Sequence, residues 1–322
     1  MESRPLFQFS RVVLGLYEAA HSKPMDMFQE SALETIKRVL PFDSAMWGSA
    51  TMTEGGIDIH TLHLHNTSMQ MIEDYQAVKH LDHFAHEVAK ATHKTIQFSA
   101  AASRSQALLD FLIKYKHMHG LITQNLNPET HFVQWLSLFR HDVACTCTEE
   151  EVMLLDDLFP HVMQSLAMNR KLHMEHLVDD ERRERWAVAI ADHHGFIYHA
   201  DALFLELIAK DYALQQPDRL PEAVMQTASH STDQWLGEAT LLVSSLEGEL
   251  LFLKIRPRVL ADNLNSREFA IARMLAEGLT VKDIAHKLHR SPDTVRTQSK
   301  TIYKKLGVNK ATQISSLLLQ RD

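Results

Sequence analysis

Residues 290–307 read Arg290-Ser291-Pro292-Asp293-Thr294-Val295-Arg296-Thr297-Gln298-Ser299-Lys300-Thr301-Ile302-Tyr303-Lys304-Lys305-Leu306-Gly307. Ser291 can accept a hydrogen bond from the first free backbone amides of a helix, Pro292 suits the first helical position, and Asp293 complements the positive end of the helix dipole. The stretch therefore predicts a helix starting here. At helical spacing Val295, Ile302 and Leu306 form an apolar stripe, while Arg296, Lys300 and Lys304 follow one another four residues apart as a separate basic ridge. Gly307 supplies the left-handed residue that commonly stops a helix. One face packs and another carries charge.

Outward from this helix, Thr280-Val281-Lys282-Asp283 is a near capping box opening a short helix that buries Ile284, Ala285 and Leu288. His289 and Arg290 are left for a tight turn. Upstream, Asn265-Ser266-Arg267-Glu268 caps a helix that buries Phe269, Ala272, Leu275 and Ala276 and ends at Gly278. Downstream, Asn309 opens a last helix bearing Ile314, Leu317 and Leu318. Four short helices in about 60 residues make a helix-turn-helix unit suited to binding DNA.

The blocks Leu264-Asn265-Ser266-Arg267-Glu268, Ala276-Glu277-Gly278-Leu279-Thr280, Lys282-Asp283-Ile284-Ala285, Ser291-Pro292-Asp293-Thr294-Val295-Arg296 and Ile302-Tyr303-Lys304-Lys305-Leu306-Gly307-Val308 together resemble the LuxR-type DNA-binding domain. The resemblance covers roughly the last fifth of the chain, in ordered blocks that chance rarely reproduces. It implies a four-helix domain that dimerises on DNA and regulates transcription. It further implies that Arg296, Thr297 and Lys300 face base edges, while Lys282, Ser291, Thr294 and Lys304 sit near phosphates. The usual pattern has threonine, an aliphatic residue, histidine and arginine where this chain has Asn265, Arg290, Gln298 and Ala311.

Charge points the same way. Residues 258–322 hold 12 Lys and Arg against 6 Asp and Glu, leaving 21 against 35 for the rest of the chain. A basic C-terminal segment on an acidic body suits phosphate binding, because neutralising phosphates releases counterions. For any single lysine, Lys304 or Lys305 included, a solvated helix end is the simpler reading; the whole constellation needs more.

The chain has 322 residues, room for two or three domains. No apolar run approaches the ~20 residues needed to cross a bilayer, and the start lacks a secretory pattern, so a cytoplasmic protein without a membrane partner is expected. Cys145 and Cys147 cannot alone furnish a structural zinc site and are read as small strand residues.

From the N-terminus, residues 7–40 read as two helices broken at Lys23-Pro24, followed by a hairpin of residues 44–52 and 57–65 around Glu54-Gly55-Gly56. In the second strand Ile57 and Ile59 are odd-numbered but Leu62 and Leu64 even-numbered, so the strand is either bulged or buried on both faces. Helical patterns over 68–92, a strand at 95–98, a helix at 106–117 and strands at 119–125 and 131–140 follow. Thr148-Glu149-Glu150-Glu151 then caps a long helix that Pro160 should kink. This order describes a helix-flanked antiparallel sheet. It resembles, more loosely, the GAF and PAS sensor domains and the autoinducer-binding domains found ahead of LuxR-type domains. In the autoinducer family a tryptophan, a tyrosine four residues on and a following aspartate line the lactone pocket. Tyr75 and Asp82 match that set, and Met71 stands where the tryptophan would be.

Residues 171–185 read as a stiff charged connector. Strands, a helix and a hairpin over 187–255 then look like a compact PAS domain, with Pro217 and Pro221 breaking its middle and Pro257 starting a linker. The expected domains are thus a GAF/PAS-like sensor over 1–178, a small PAS-like domain over 179–257 and an all-α DNA-binding domain over 258–322.

With 21 histidines, metal, haem and pH sensing need a hearing. If residues 76–92 form one helix, His80, His83 and His86 lie opposite its apolar side, facing water. His63 and His65 share one strand face; a satisfied core or rim histidine is the commoner case, but with Trp47, Tyr75, Asp82 and Trp135 they complete the set of pocket-lining candidates. The zinc-protease pattern fails at Lys90, and no nucleophile elbow, phosphate loop, dinucleotide fingerprint or calcium loop occurs. No enzyme, cofactor or metal is therefore expected. The partners expected are double-stranded DNA, a second copy of the chain through Ile314, Leu317 and Leu318, a small apolar ligand, and RNA polymerase. In the alternative, the N-terminal domains serve only dimerisation or protein contacts, and a filled core in place of a cavity would favour that.

Overall fold

Ten residues of alternating side chains set the first sheet: β1 (Ser44–Thr53) sends Ala45 and Trp47 to one face and Met46 and Met52 to the other. The computed structural model describes residues 5–53, 56–90, 94–127, 130–177, 186–212, 216, 219–227 and 232–321. The expected turn at Glu54-Gly55, Pro128-Glu129, Pro217 and residues 178–185 of the connector lie outside them. By contacts the chain divides into one unit of Met1–Leu177 with Asp192–His194, and a second of Val178–Ala191 with Gly195–Asp322.

In the first unit, α1 (Pro5–Ser22) and α2 (Met25–Ile36) precede β1 and β2 (Gly56–His65). Next come α3 (Met69–Val78), α4 (His83–Lys90), β3 (Ile96–Ser99) and α5 (Gln106–Lys114), then β4 (His119–Leu126), β5 (Phe132–Arg140) and α6 (Glu149–Leu177). The antiparallel sheet runs β2-β1-β5-β4-β3. Leu16, Phe28, Ile36, Leu155 and Val162 from α1, α2 and α6 pack on Trp47, Leu136 and Leu138, on one face of the sheet. On the other, Met71, Phe84, Leu108 and Phe111 from α3, α4 and α5 pack on Phe98 and Phe139. The sheet is buried on both faces, as the parity switch in β2 allowed.

It is also bulged. Ser49 pairs with Thr61 but Ala50 with Ile59, so His60 is the extra residue. That extra residue turns Ile57, Ile59 and Leu64 to the same side despite their opposite parity. His63 and His65 consequently point the other way. Trp47, among the most buried side chains, packs edge-on against Phe28 on that same opposite face.

Two glycines let aromatic rings lie flat across the sheet. Gly48 pairs with Trp135, and Gly120 with Phe98. A Cβ at Gly48 would come within 2.3 Å of the Thr61 carbonyl oxygen and 2.7 Å of the Trp135 ring. Gly48→Ala should therefore cost about 1–3 kcal/mol, as overpacking against backbone does. A urea unfolding midpoint equal to the parent's would show that the strands can separate to absorb the methyl.

Residues 76–92 are not one helix. The break falls at 79–82, where Asp82 Oδ1 accepts from the Ala85 amide at 3.1 Å and restarts the chain as α4. His80 and His86 are exposed, while His83 is half-buried on Phe84. Cys145 and Cys147 are also not strand residues: β5 ends at Arg140, and both thiols sit unbridged in the loop before α6. Asp142 turns that loop by accepting from the Ala144 amide at 2.9 Å. The Thr148 box forms, with the Thr148 amide donating to Glu151 at 2.9 Å, and α6 continues through Pro160.

The second unit begins with β6 (Ala187–Asp192) and β7 (Ile197–Ala200), followed by α7 (Ala202–Asp211), α8 (Glu222–Thr227), β8 (Thr232–Leu236), β9 (Thr240–Glu247) and β10 (Leu250–Pro257). Its sheet, β7-β6-β10-β9-β8, repeats the second-first-fifth-fourth-third order of the first one. Phe204, Leu207 and Ile208 of α7 and Val224 of α8 fill its core. Sequence reading missed β8 and α8. Four helices complete the unit: α9 (Ser266–Ala276), α10 (Val281–Lys287), α11 (Pro292–Leu306) and α12 (Ile314–Arg321).

The linker expected after Pro257 is pinned. Arg256 donates to both Asp262 carboxylate oxygens, at 2.8 and 2.6 Å, and both side chains are buried. Asp262 also accepts from the Val259 amide at 2.8 Å. Among the described residues no helix is long and apolar enough to cross a membrane.

Candidate DNA-binding surface and ligand cavity

Local chemistry sets each boundary of the helix-turn-helix. Asn265 and Glu268 form a reciprocal box at the start of α9, with hydrogen bonds of 2.9 and 3.0 Å. Thr280 and Asp283 do the same for α10. At α11, Ser291 Oγ accepts from the Thr294 amide at 3.1 Å, Pro292 fills the first position, and Gly307 ends the helix at φ 63°. His289, at φ 51°, makes the turn between α10 and α11. Replacing the cap, Ser291→Ala, should cost ~1 kcal/mol and speed amide exchange at Thr294. Unchanged exchange there would place the helix start elsewhere.

Val295, Ile302 and Leu306 are buried in the domain core with Ile271, Leu275 and Ile284. Lys305 turns inward and donates to Glu268 Oε2 at 2.6 Å, joining α11 to α9. The partners hold that carboxyl below its usual range against the opposing effect of burial. Lys282, Ser291, Thr294, Arg296, Thr297, Lys300 and Lys304 are all exposed. Arg296, Lys300 and Lys304 therefore stand free of the core, on a helix whose other side is clamped. Arg296 pairs with Asp293 at 2.6 Å across one helical turn, and the Thr297 hydroxyl donates to the Asp293 carbonyl at 3.0 Å. An exposed pair of this kind contributes at most about 1 kcal/mol, so it leaves the guanidinium available to a base edge or a phosphate.

The self-association face read from α12 is corrected. Ile314 and Leu318 are buried in the domain's own core, because their four-residue spacing turns both toward α9 and the turn at 260–263. Leu317 is half-buried against the same cluster, and Leu319 is the exposed apolar residue of that helix.

In the first unit, a cavity of about 490 Å³ opens between the sheet and α3, α4 and α5. Its wall is largely apolar: Met46, Met52, Ile57, Ile59, Met71 and Phe98 are typical. That size falls in the range of small-molecule sites. Of the candidates read from sequence, Tyr75, Asp82 and Trp135 line the cavity together. Trp47, His63 and His65 do not: the bulge and the strand alternation put them on the opposite face. There His63 Nε2 and His65 Nδ1 meet the two oxygens of Glu30 at 3.0 and 2.8 Å. The hydrogen bonds of both imidazoles draw the Glu30 carboxyl below its usual pKa, although burial opposes this.

Tyr75 donates to Asp82 at 2.9 Å, and burial, reinforced by that carboxylate, pushes the phenol upward. Met71 and Tyr75 share one side of α3, one turn apart, which brings both to the wall. Asp74, on the same helix, accepts from Lys114 and Tyr115, and these bonds hold its carboxyl down to about 2. The contact ties α3 to α5 beside the cavity. Sequence reading missed His117, which also lines it.

Residues 262–318 match the GerE profile, bacterial regulatory proteins of the luxR family. The transcriptional regulatory protein YdfI of Bacillus subtilis (strain 168) is 25% identical over 177 residues, which span 53% of this chain and 78% of that protein. Among solved structures, the N-acylhomoserine lactone dependent LuxR family factor CepR2 of Burkholderia cenocepacia is similar at 14% identity and a TM-score of 0.39, over 53% of this chain and 99% of that one. SdiA of Escherichia coli is similar at 14% identity and a TM-score of 0.38, over 96% of this chain and 95% of that one.

Proposed function

We propose that this chain, a DNA-binding transcriptional regulator whose C-terminal domain is of the luxR family, reads a specific sequence as a homodimer and responds to a small apolar molecule held in its first domain. The proposed division of labour is sensing by residues 1–178, coupling by 179–257 and DNA recognition by 258–322, with no catalysis. The observation that carries the DNA reading is the exposed ridge Arg296, Lys300 and Lys304 on a helix capped at both ends. Arg296, Thr297 and Lys300 then read bases, while Lys282, Ser291, Thr294 and Lys304 hold phosphates.

The roles separate experimentally. Arg296→Ala should cost about 1–3 kcal/mol on the preferred site and little on random DNA, whereas Lys304→Ala should weaken both alike. Equal losses on both kinds of DNA for both variants would remove the assignment.

An apolar cavity of about 490 Å³ favours a ligand over a purely structural role for the first domain. Dimerisation falls to the N-terminal unit in this reading, since α12 spends Ile314 and Leu318 on its own core. Leu6, Phe7 and Leu14 on α1 are exposed and supply an apolar face for it. A ligand shifts DNA binding only by binding two arrangements of the dimer with different affinity.

A further inference from the structure

His117 stands just beyond the end of α5, and the way that helix ends fixes where its ring points. Lys116 takes the left-handed conformation at φ 58°. The His117 amide then donates to the Leu112 carbonyl at 2.8 Å, and the Lys116 amide to Ile113 at 3.1 Å. This is a Schellman end, in which the second residue past the helix folds back onto its last turn. The imidazole is carried inward. It stacks on Phe139 with ring centroids 3.7 Å apart and planes 4° from parallel, and the residue is 2% exposed.

The ring lines the cavity beside Phe111, Leu112 and Met46, and its Nε2 is buried with no hydrogen-bond partner among the described residues. A buried polar atom left unpaired costs about 1–3 kcal/mol. Of the other polar groups on this wall, His80 and His86 are exposed and Lys79 is half-buried, while Tyr75, Asp82 and Gln124 are engaged. Asp82 accepts from Tyr75 and from the Ala85 amide, and the Gln124 amide donates to the Val88 carbonyl at 2.6 Å. Burial, with a smaller effect of His141, pushes His117 down to about 3, so its ring is uncharged at neutral pH. A neutral imidazole offers one donor and one acceptor, which suits a hydroxyl, ester or amide. An anion or cation placed against it would face an uncharged ring, and Lys79, His80 and His86, which line the same cavity, are half-buried or exposed, where water screens them.

We propose that His117 is the polar anchor of the cavity, and that the molecule it takes is uncharged: a hydrocarbon body with one hydroxyl, ester or amide group set against Nε2. This rests on the cavity being a ligand site. It adds the ligand's charge state and the residue that reads its polar group.

The test uses the full-length protein at neutral pH, loaded with the fluorescent apolar probe N-phenyl-1-naphthylamine and titrated with 1-octanol, octanoate or octylamine. The octanol should displace the probe at concentrations at least tenfold below either ion. His117→Leu should weaken octanol about tenfold more than it weakens the probe. On the parent protein, the His117 Nε2 resonance should shift on saturation with octanol, a readout independent of whether the variant folds. Displacement by an ion at concentrations equal to or below those for octanol, octanol weakened no more than the probe by His117→Leu, or a resonance that stays put would each overturn the proposal. If the probe itself fails to bind the parent protein, the cavity is no ligand site, and the proposal falls with that reading.

Discussion

Raising salt from 50 to 200 mM should weaken binding of the full-length protein to its DNA site by roughly 10²–10⁴-fold. The size of this effect follows from the exposed cations on the helix-turn-helix. Lys282 and Lys304 are assigned to phosphates and Arg296 and Lys300 lie beside them, so two copies bring about four to eight charges to the duplex, each releasing close to one counterion. Lys305 is committed to its own domain through Glu268, which leaves the exposed Lys300 and Lys304 as the lysines of α11 available to the duplex. Filter binding or fluorescence anisotropy across a salt series measures the slope. A slope near zero would mean that the ridge does not touch phosphates, whatever affinity remained.

The second large effect concerns acid. His117 has an ordinary pKa of 6.5 in the unfolded chain and is pushed down to about 3 in the folded one, burial being the main cause. Between those values the unfolded state binds the proton and the folded state does not, so stability falls as pH falls through the window from about 6.5 to about 3. Above pH 6.5 the group is neutral in both states and contributes nothing to the slope. The full shift corresponds to a few kcal/mol, on the order of 1.4 per unit. Carboxylates such as Asp74 lose stability in acid too, so the parent must be compared with His117→Leu. Chemical unfolding at pH 7, 6, 5 and 4 should show the variant losing less stability on acidification, with the gap widening at each step. Parallel pH profiles would mean that the imidazole is solvated.

Local chemistry was legible in the chain and side-chain direction across the sheet was not. Asn265, Thr280, Ser291 and Gly307 act within one turn of backbone, so their caps could be read directly, and each forms as expected. The β2 stretch was legible as an irregularity. Choosing which residues faced the cavity required knowing that His60 is the bulge, and that depends on pairing with β1. His63 and His65 were consequently assigned to the wrong face, and Trp47 on β1 was too, because which face of that strand is covered by α1, α2 and α6 is not a local property. Ile314 and Leu318 look like a spare apolar face until the core formed by Ile271, Leu275 and Val295 is in place to absorb them. The edge strand β8 has little apolar signal beyond Trp235 and Leu236, and so went unread. His117 lacked a signal of its own, since its inward turn depends on Lys116 adopting a conformation more usual for glycine.

The most direct measurement is selection of DNA from a random pool by the full-length protein and by Arg296→Ala. Two recognition helices held by a symmetric dimer enter successive major grooves about 34 Å apart. The parent should therefore enrich a two-fold-related pair of half-sites with centres one helical turn apart, and the variant should lose discrimination at one base position in each half-site while keeping the spacing. No enrichment by the parent, or the same motif recovered with equal strength by the variant, would contradict the claim that α11 reads the DNA.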